Sequence, residues 1–139
     1  MDKKFNIGLV RHLGIRLLEV APERVVGELP VRDELRTLGT AVHGGTLMAF
    51  ADTVGAMGTV ASLKPGQVTS TIESKTNFFA AGRSGTLRAV ATPLHKGRRT
   101  HVWETRVTDD AGKLVSLTIQ TQIVVDSEQK PAEPQSTAR

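Results

Sequence analysis

GTAVHGGTLMAFADTVGAMGTVASL, residues 39–63, carries one charged side chain, Asp52. Burying an unpaired carboxylate is costly, so its place inside an apolar, small-residue segment marks it for chemistry. Leu47, Phe50, Val54, Met57 and Ala61 recur at helical spacing. Ala51, Gly55, Gly58 and Ser62 make a second face, small enough for another backbone to come close. A helix that is apolar or small nearly all round is enclosed rather than laid on a surface. The segment is therefore predicted to be the buried axis of the domain. It opens at Gly44 and Gly45 and ends near Leu63, where Lys64, Pro65 and Gly66 are stop signals. Its glycines, threonines and central Asp argue against a membrane span of the same length.

Before this helix, residues 1–12 are an N-terminal segment with a short amphipathic helix through Phe5, Ile7, Leu9 and Val10. Residues 14–20 and 24–31 read as a hairpin, the second strand alternating Val25, Gly27, Leu29 and Val31 against Arg24, Val26, Glu28 and Pro30. After the helix the pattern turns to strands at 68–79, 86–94, 99–108 and 114–125, separated by AAGRSG, HKGR and DDAGK. Strict alternation along 68–79 sets Val68, Ser70, Ile72, Ser74, Thr76 and Phe78 opposite Thr69, Thr71, Glu73, Lys75, Asn77 and Phe79. The last strand shows Val115, Leu117, Ile119, Thr121, Ile123 and Val125 on one face. An α+β domain follows over 13–125, a long central helix wrapped by a curved antiparallel sheet of five or six strands. Residues 126–139 form a disordered tail by composition.

With 139 residues, 39% of them hydrophobic, the chain suits one domain with a core of its own. A formal charge of +4 admits a phosphate-bearing ligand, a nucleic acid, or an ordinary solvated basic surface. The absence of cysteine excludes disulfides and thiol catalysis. The opening MDKKFNIGLVRHLG lacks the continuous apolar run of a secretory signal, and a cytoplasmic protein is expected. GRSG around Ser84 is not a serine-hydrolase elbow, and no phosphate-binding or dinucleotide glycine pattern occurs. His12, His43, His95 and His101 lack metal-ligand spacing, so no metal is expected. One Trp and four Phe leave little aromatic surface for stacking bases, so no nucleic-acid partner is expected.

Two features of the helix define its chemistry. Gly44 and Gly45 stand at its amino end, where free N–H groups and the positive end of the dipole suit a developing oxyanion. Asp52 is placed to activate water as a general base or to attack a carbonyl itself. The two lie eight residues apart, about 12 Å along a helix axis, too far to act on one carbonyl. Two antiparallel helices from two chains bring one chain's Gly44 beside the other's Asp52, so the geometry asks for a homodimer.

His43, Gly44 and Gly45, Asp52 seven positions after the second Gly, and the strand Ile72–Glu73–Ser74–Lys75–Thr76–Asn77–Phe78 together resemble the hotdog-fold acyl-CoA thioesterases, in particular the phenylacetate-degradation type. The likeness covers residues 10–125. It implies a homodimer or dimer of dimers that hydrolyses a coenzyme A thioester at sites shared between chains, with no cofactor beyond the coenzyme of the substrate. It implies Thr71, with Ser70 as second choice, as the strand residue assisting the attacking water. His43 supports the loop or the site itself. At position 37, where the family usually has Asn or Gln to position the thioester, this chain has Thr37. A coenzyme also carries phosphates, for which Lys96, Arg98 and Arg99 form a cationic turn, with Arg83 a weaker candidate. The alternatives are an acyl-thioester hydratase or dehydratase on the same fold, and a non-catalytic acyl-CoA or acyl-carrier binding protein.

Overall fold

The structure, a computed structural model, describes residues 3–128 of the 139-residue chain. A single 3-10 turn at Lys3–Phe5 precedes α1, Gly8–Leu13. The short N-terminal helix expected through Phe5 is thus split in two. The strands β1, Arg16–Ala21, and β2, Arg24–Pro30, form the expected hairpin. A second 3-10 turn, Asp33–Leu35, leads to α2, Gly44–Val60. Four long strands follow: β3 Gln67–Phe78, β4 Thr86–Lys96, β5 Thr100–Thr108 and β6 Leu114–Asp126. Of the expected tail, Asp126 closes β6, and residues 129–139 lie outside the described residues.

All six strands join one antiparallel sheet in the order β1-β2-β4-β5-β6-β3. The connection from β2 to β3, which contains α2, therefore passes over β4, β5 and β6, and α2 touches every strand of the sheet. This is the architecture expected, with six strands. Val25, Leu29, Leu87, Ala89, Ala91, Trp103 and Val107 rise from the sheet into a core with Leu47, Phe50 and Val54 of α2. Gly27 lets the helix settle there: a Cβ on it would sit 2.8 Å from Val54 Cγ2.

Three details differ from the expectation. The small face of α2 admits side chains of the sheet rather than another backbone. A Cβ at Gly58 would lie 2.2 Å from the Trp103 ring, and one at Gly55 2.3 Å from Gln120 Oε1. Alternation along β3 is broken by a bulge between Thr71 and Glu73, where the pairing with β6 shifts by one. A bulge turns one residue out of step, so Thr69 and Thr71 share the helix side with Ser74 and Thr76 and not with Glu73. Finally, the apolar face of β6 turns away from the helix. Ser116, Thr118, Gln120 and Gln122 are fully buried beneath α2, while Leu117, Ile119 and Ile123 are half-buried on the other side.

The helix is not enclosed all round either. Met48 is exposed, and Ala49, Asp52, Thr53 and Ala56 are half-buried. Within this stripe Ala49 still packs against the core, and Asp52 is bonded to β3 and β6.

Candidate active site

The amino end of α2 is assembled by His43. Its imidazole Nδ1 accepts from the Gly45 N–H at 2.8 Å, and its carbonyl accepts from Thr46 and Leu47 at 2.9 and 3.2 Å. His43 is thus the cap of the helix, and with Nδ1 accepting, its ring proton sits on Nε2. Of the first four N–H groups of the helix, three are taken. Gly44 alone has no acceptor among the described residues. The pair of free donors expected from Gly44 and Gly45 is in fact one. The ring of Phe78, half-exposed at the end of β3, stands over it, 3.2 Å from where a Cβ of Gly44 would be.

Asp52 lies two turns further along. Its Oδ1 accepts from Thr71 Oγ1 at 2.6 Å and from Gln120 Nε2 at 2.9 Å. A carboxylate only accepts, and this gives the neighbouring network its direction. The Thr71 hydroxyl gives its proton to Asp52 and accepts from Gln122 Nε2 at 2.6 Å, whose Oε1 accepts from Thr69 Oγ1 at 3.1 Å. Thr71 therefore holds the carboxylate, and its proton is not free for a water while Asp52 is ionised. Asp52 Oδ2 accepts nothing from any described residue. Ser70, the second choice, is exposed on the opposite face of β3, as the alternation of adjacent strand residues requires.

The remaining candidates lie apart from Asp52. Thr37 sits in the loop before α2, its N–H on the Ala41 carbonyl at 3.0 Å. It lines an open pocket of about 510 Å³ with Asp33, Arg36, Gly39, Thr40 and Arg83. Arg83 is occupied in that loop, its Nη1 donating to Thr40 Oγ1 at 2.7 Å. Lys96 leaves the expected cationic cluster: its Nζ donates to Glu23 Oε1 and the Pro22 carbonyl, both at 3.0 Å, and so ties β4 to the β1–β2 turn. Arg98 and Arg99 have no side-chain partner among the described residues. They line a pocket of about 210 Å³ with Gln67 and Asp126. Arg98 also lines a pocket of about 180 Å³ at the carboxyl end of α2, with Ser62, Lys64 and His101. His101 is buried, its Nδ1 3.0 Å from Thr59 Oγ1, which also accepts from Trp103 Nε1 at 2.9 Å. Burial first, then the charge of Lys96, lowers its pKa, against a hydrogen bond to the Gly97 backbone. Among the described residues no three His, Asp or Glu side chains stand close enough to hold a metal ion. No helix among them is long and apolar enough to cross a membrane.

One chain thus holds an unclaimed N–H at the start of α2, a held carboxylate at its middle, and, near its far end, two arginines without a side-chain partner among the described residues. Sequence reasoning missed Gln120 and Gln122. Their signal is the polar alternation Ser116, Thr118, Gln120, Gln122, which is masked by the more familiar apolar alternation of the residues between them.

Comparisons with known proteins bear on the fold and the family. The family model of the thioesterase superfamily matches residues 39–116. The chain is 32% identical over 114 residues to the putative esterase PA1618 of Pseudomonas aeruginosa, covering 81% of this chain and 79% of that protein. It is 28% identical over 111 residues to a 1,4-dihydroxy-2-naphthoyl-CoA hydrolase of Listeria monocytogenes, covering 80% and 90%. A crystal structure of a PA1618 thioesterase mutant superposes with a TM-score of 0.86 at 28% identity, over 91% of each chain. The Escherichia coli PaaI protein, from the phenylacetic acid degradation operon, shares the fold with a TM-score of 0.80 at 23% identity, over 88% of each chain.

Proposed function

The chain belongs to the thioesterase superfamily and is a thioester hydrolase of the hotdog fold, and we propose that its substrate is an aryl- or medium-chain acyl-CoA, cleaved at a site shared by two chains. The observation that carries this reading is the division of labour along α2. Asp52 has Oδ1 held by two donors and Oδ2 free, while the one unclaimed N–H at the helix start belongs to Gly44, about 12 Å away. Neither is of use to the other within one chain. Two α2 helices side by side and antiparallel, packed along the stripe of the exposed Met48 and the half-buried Ala49 and Ala56, set each Asp52 opposite the partner subunit's helix start. The edge strand β3, whose Thr71 reaches Asp52 and whose exposed Phe78 stands at the helix start, lies beside that stripe and supports the same pairing. A homodimer is the smallest active unit, and a dimer of dimers keeps the same site.

In the reaction, the thioester carbonyl oxygen takes the Gly44 N–H and the carbonyl carbon faces Asp52 Oδ2. As a base, Oδ2 removes a proton from water while the oxygen of that water bonds to the carbon. The oxyanion gathers on the Gly44 N–H and the dipole of α2. Collapse re-forms the carbonyl, breaks the C–S bond and returns the proton from Asp52 to the leaving thiolate. As a nucleophile, Oδ2 bonds to the carbon directly, and collapse of the oxyanion breaks the C–S bond and expels the thiolate, which takes its proton from solvent. Water then cleaves the resulting anhydride to the acid and the Asp52 carboxylate. Label found in Asp52 after single turnover in ¹⁸O-water identifies the second, since only attack of water on the Asp52 carbonyl of the anhydride leaves it there.

The ring of Phe78 over Gly44 offers an apolar wall to the acyl group, and the aryl-CoA named for the Listeria relative supports an aromatic one. Arg98 and Arg99, lacking internal partners among the described residues, are the cations left for the coenzyme phosphates. A thiol-release assay over aryl and alkyl CoA thioesters tests the reading. Release from phenylacetyl- or benzoyl-CoA analogues, or from medium-chain acyl-CoA, is expected. Release only from carrier-protein thioesters, or none, contradicts it.

A further inference from the structure

Asp52 is carried by the helix but gripped from the sheet. Gln120, on β6, donates from Nε2 to Asp52 Oδ1 at 2.9 Å and to the Asp52 backbone carbonyl at 3.2 Å. The residue is fully buried. Its amide has one tenable orientation, because the flipped one sets Oε1 against Oδ1, two acceptors face to face. That orientation leaves Gln120 Oε1 without a hydrogen-bond partner in the interior, which is unfavourable. A second unfavourable choice serves the same contact. Gly55 stands in the middle of α2, where glycine weakens a helix relative to alanine, and a Cβ there would lie 2.3 Å from Gln120 Oε1 and 2.7 Å from its Cδ. A bare buried acceptor and a mid-helix glycine are both tolerated for one outcome: the amide of Gln120 seated on Asp52.

We propose that Gln120 is a positioning residue of the hydrolysis, clamping the carboxylate and the main chain of Asp52 together so that Oδ1 is spent and Oδ2 alone meets the thioester. This rests on Asp52 being the reacting carboxylate. The helix by itself leaves the carboxylate free to turn about its side-chain torsions. Thr71 restrains it from β3, and Gln120 adds the second point needed to fix its plane. Gly55 acts through Gln120, by leaving room for the amide.

The test uses the full chain. Gln120→Met keeps the volume and removes both donated bonds. Its kcat falls about ten- to a hundredfold, the worth of a hydrogen bond to a charged group, while KM stays within about twofold. Gly55→Ala leaves Gln120 chemically whole and pushes its amide off Asp52, and it too lowers kcat with KM held. Added to Asp52→Asn, Gln120→Met brings no further loss, because it acts only through that carboxylate. Ser116→Ala, a buried hydroxyl without a partner on the same face of β6, leaves kcat as it was. If Gln120→Met does not fold by circular dichroism, Gly55→Ala decides. Parent kcat in folded Gly55→Ala or Gln120→Met, with Asp52→Asn inactive, overturns the clamp alone. Parent kcat in Asp52→Asn removes the reading of the carboxylate itself, and the clamp with it.

Discussion

The sheet beneath α2 has two halves of opposite chemistry. On β1, β2 and β4 the residues turned to the helix are Leu17, Val25, Leu29, Leu87, Ala89 and Ala91, all buried and apolar. On β6 and β3 they are Ser116, Thr118, Gln120 and Gln122, fully buried, with Thr69 and Thr71 half-buried beside them. The helix matches each half, Phe50 and Val54 against Gly27 and Asp52 and Gly55 against Gln120. Apolar burial is worth about 25 cal/mol per Å², and the polar half forgoes much of it. What it gains is a set of oriented donors around one carboxylate. One half holds the helix; the other holds a charge in place.

That comparison breaks if the two halves respond alike to substitution. Asp52→Asn is expected to lose about 10² to 10⁴ in turnover with its melting temperature kept, as measured by thiol release and by thermal unfolding. Phe50→Ala, on the apolar side, is expected to lose about 3 to 5 kcal/mol of stability while the folded fraction keeps its turnover. A Phe50 variant that melts normally, or an Asp52 variant that turns over normally, removes the distinction.

Smaller effects sharpen it. Replacing Arg98 and Arg99 together by Ala touches neither half and is expected to raise KM for a CoA thioester about tenfold with little change in kcat, since the phosphate end is held alike in ground and transition states. A pantetheine thioester, lacking the nucleotide, is expected to show no such change. Equal losses on both substrates make the turn ordinary solvated surface. The smallest effect belongs to the buried His101, whose pKa is lowered by burial and by Lys96, while His95 pushes the same way and the Gly97 backbone opposes. Unfolded, the imidazole takes up its proton near pH 6.5, and the folded protein does so only at lower pH. Between those two points the unfolded state binds more protons, so stability falls as pH falls. The melting temperature is expected to drop by a few degrees from about pH 7.5 to about pH 5.5, and His101→Gln is expected to flatten part of that slope.

The apolar half is legible in the sequence alone. Val25, Gly27 and Leu29 alternate as a half-buried strand must, and Leu47, Phe50 and Val54 repeat as a buried helix must. The polar half is not. In β6 the eye follows Leu117, Ile119 and Ile123, and period two alone says nothing of which face meets the helix. Here the rule of apolar side inward is reversed because the helix brings a carboxylate to that strand. Thr71 is reached only through resemblance, since the bulge after it breaks the alternation that would assign its side. Gln120 lies 68 residues from Asp52, and nothing local links them. Lys96 reads as a partner of Arg98 and Arg99, but proximity in sequence says little at a hairpin end, and Glu23 across the sheet takes it.

The shared site is tested most directly by complementation. Asp52→Asn inactivates one chain at the middle of α2. Gly44→Pro inactivates another at its start by removing the N–H; proline suits the first position of a helix, and His43 already has the extended backbone that precedes one. Gly44→Ala, which keeps the N–H and crowds Phe78 alike, controls for the ring contact. Each inactive chain is confirmed folded by circular dichroism, and the two are then unfolded, mixed and re-associated. In a mixed dimer with shared sites, one site carries both lesions and the other carries none. Such dimers are expected to recover about half of the parent turnover, and a statistical mixture about a quarter, if the sites act independently. Mixed dimers that stay inactive would show that Asp52 and Gly44 of the same chain work together, contrary to the distance between them.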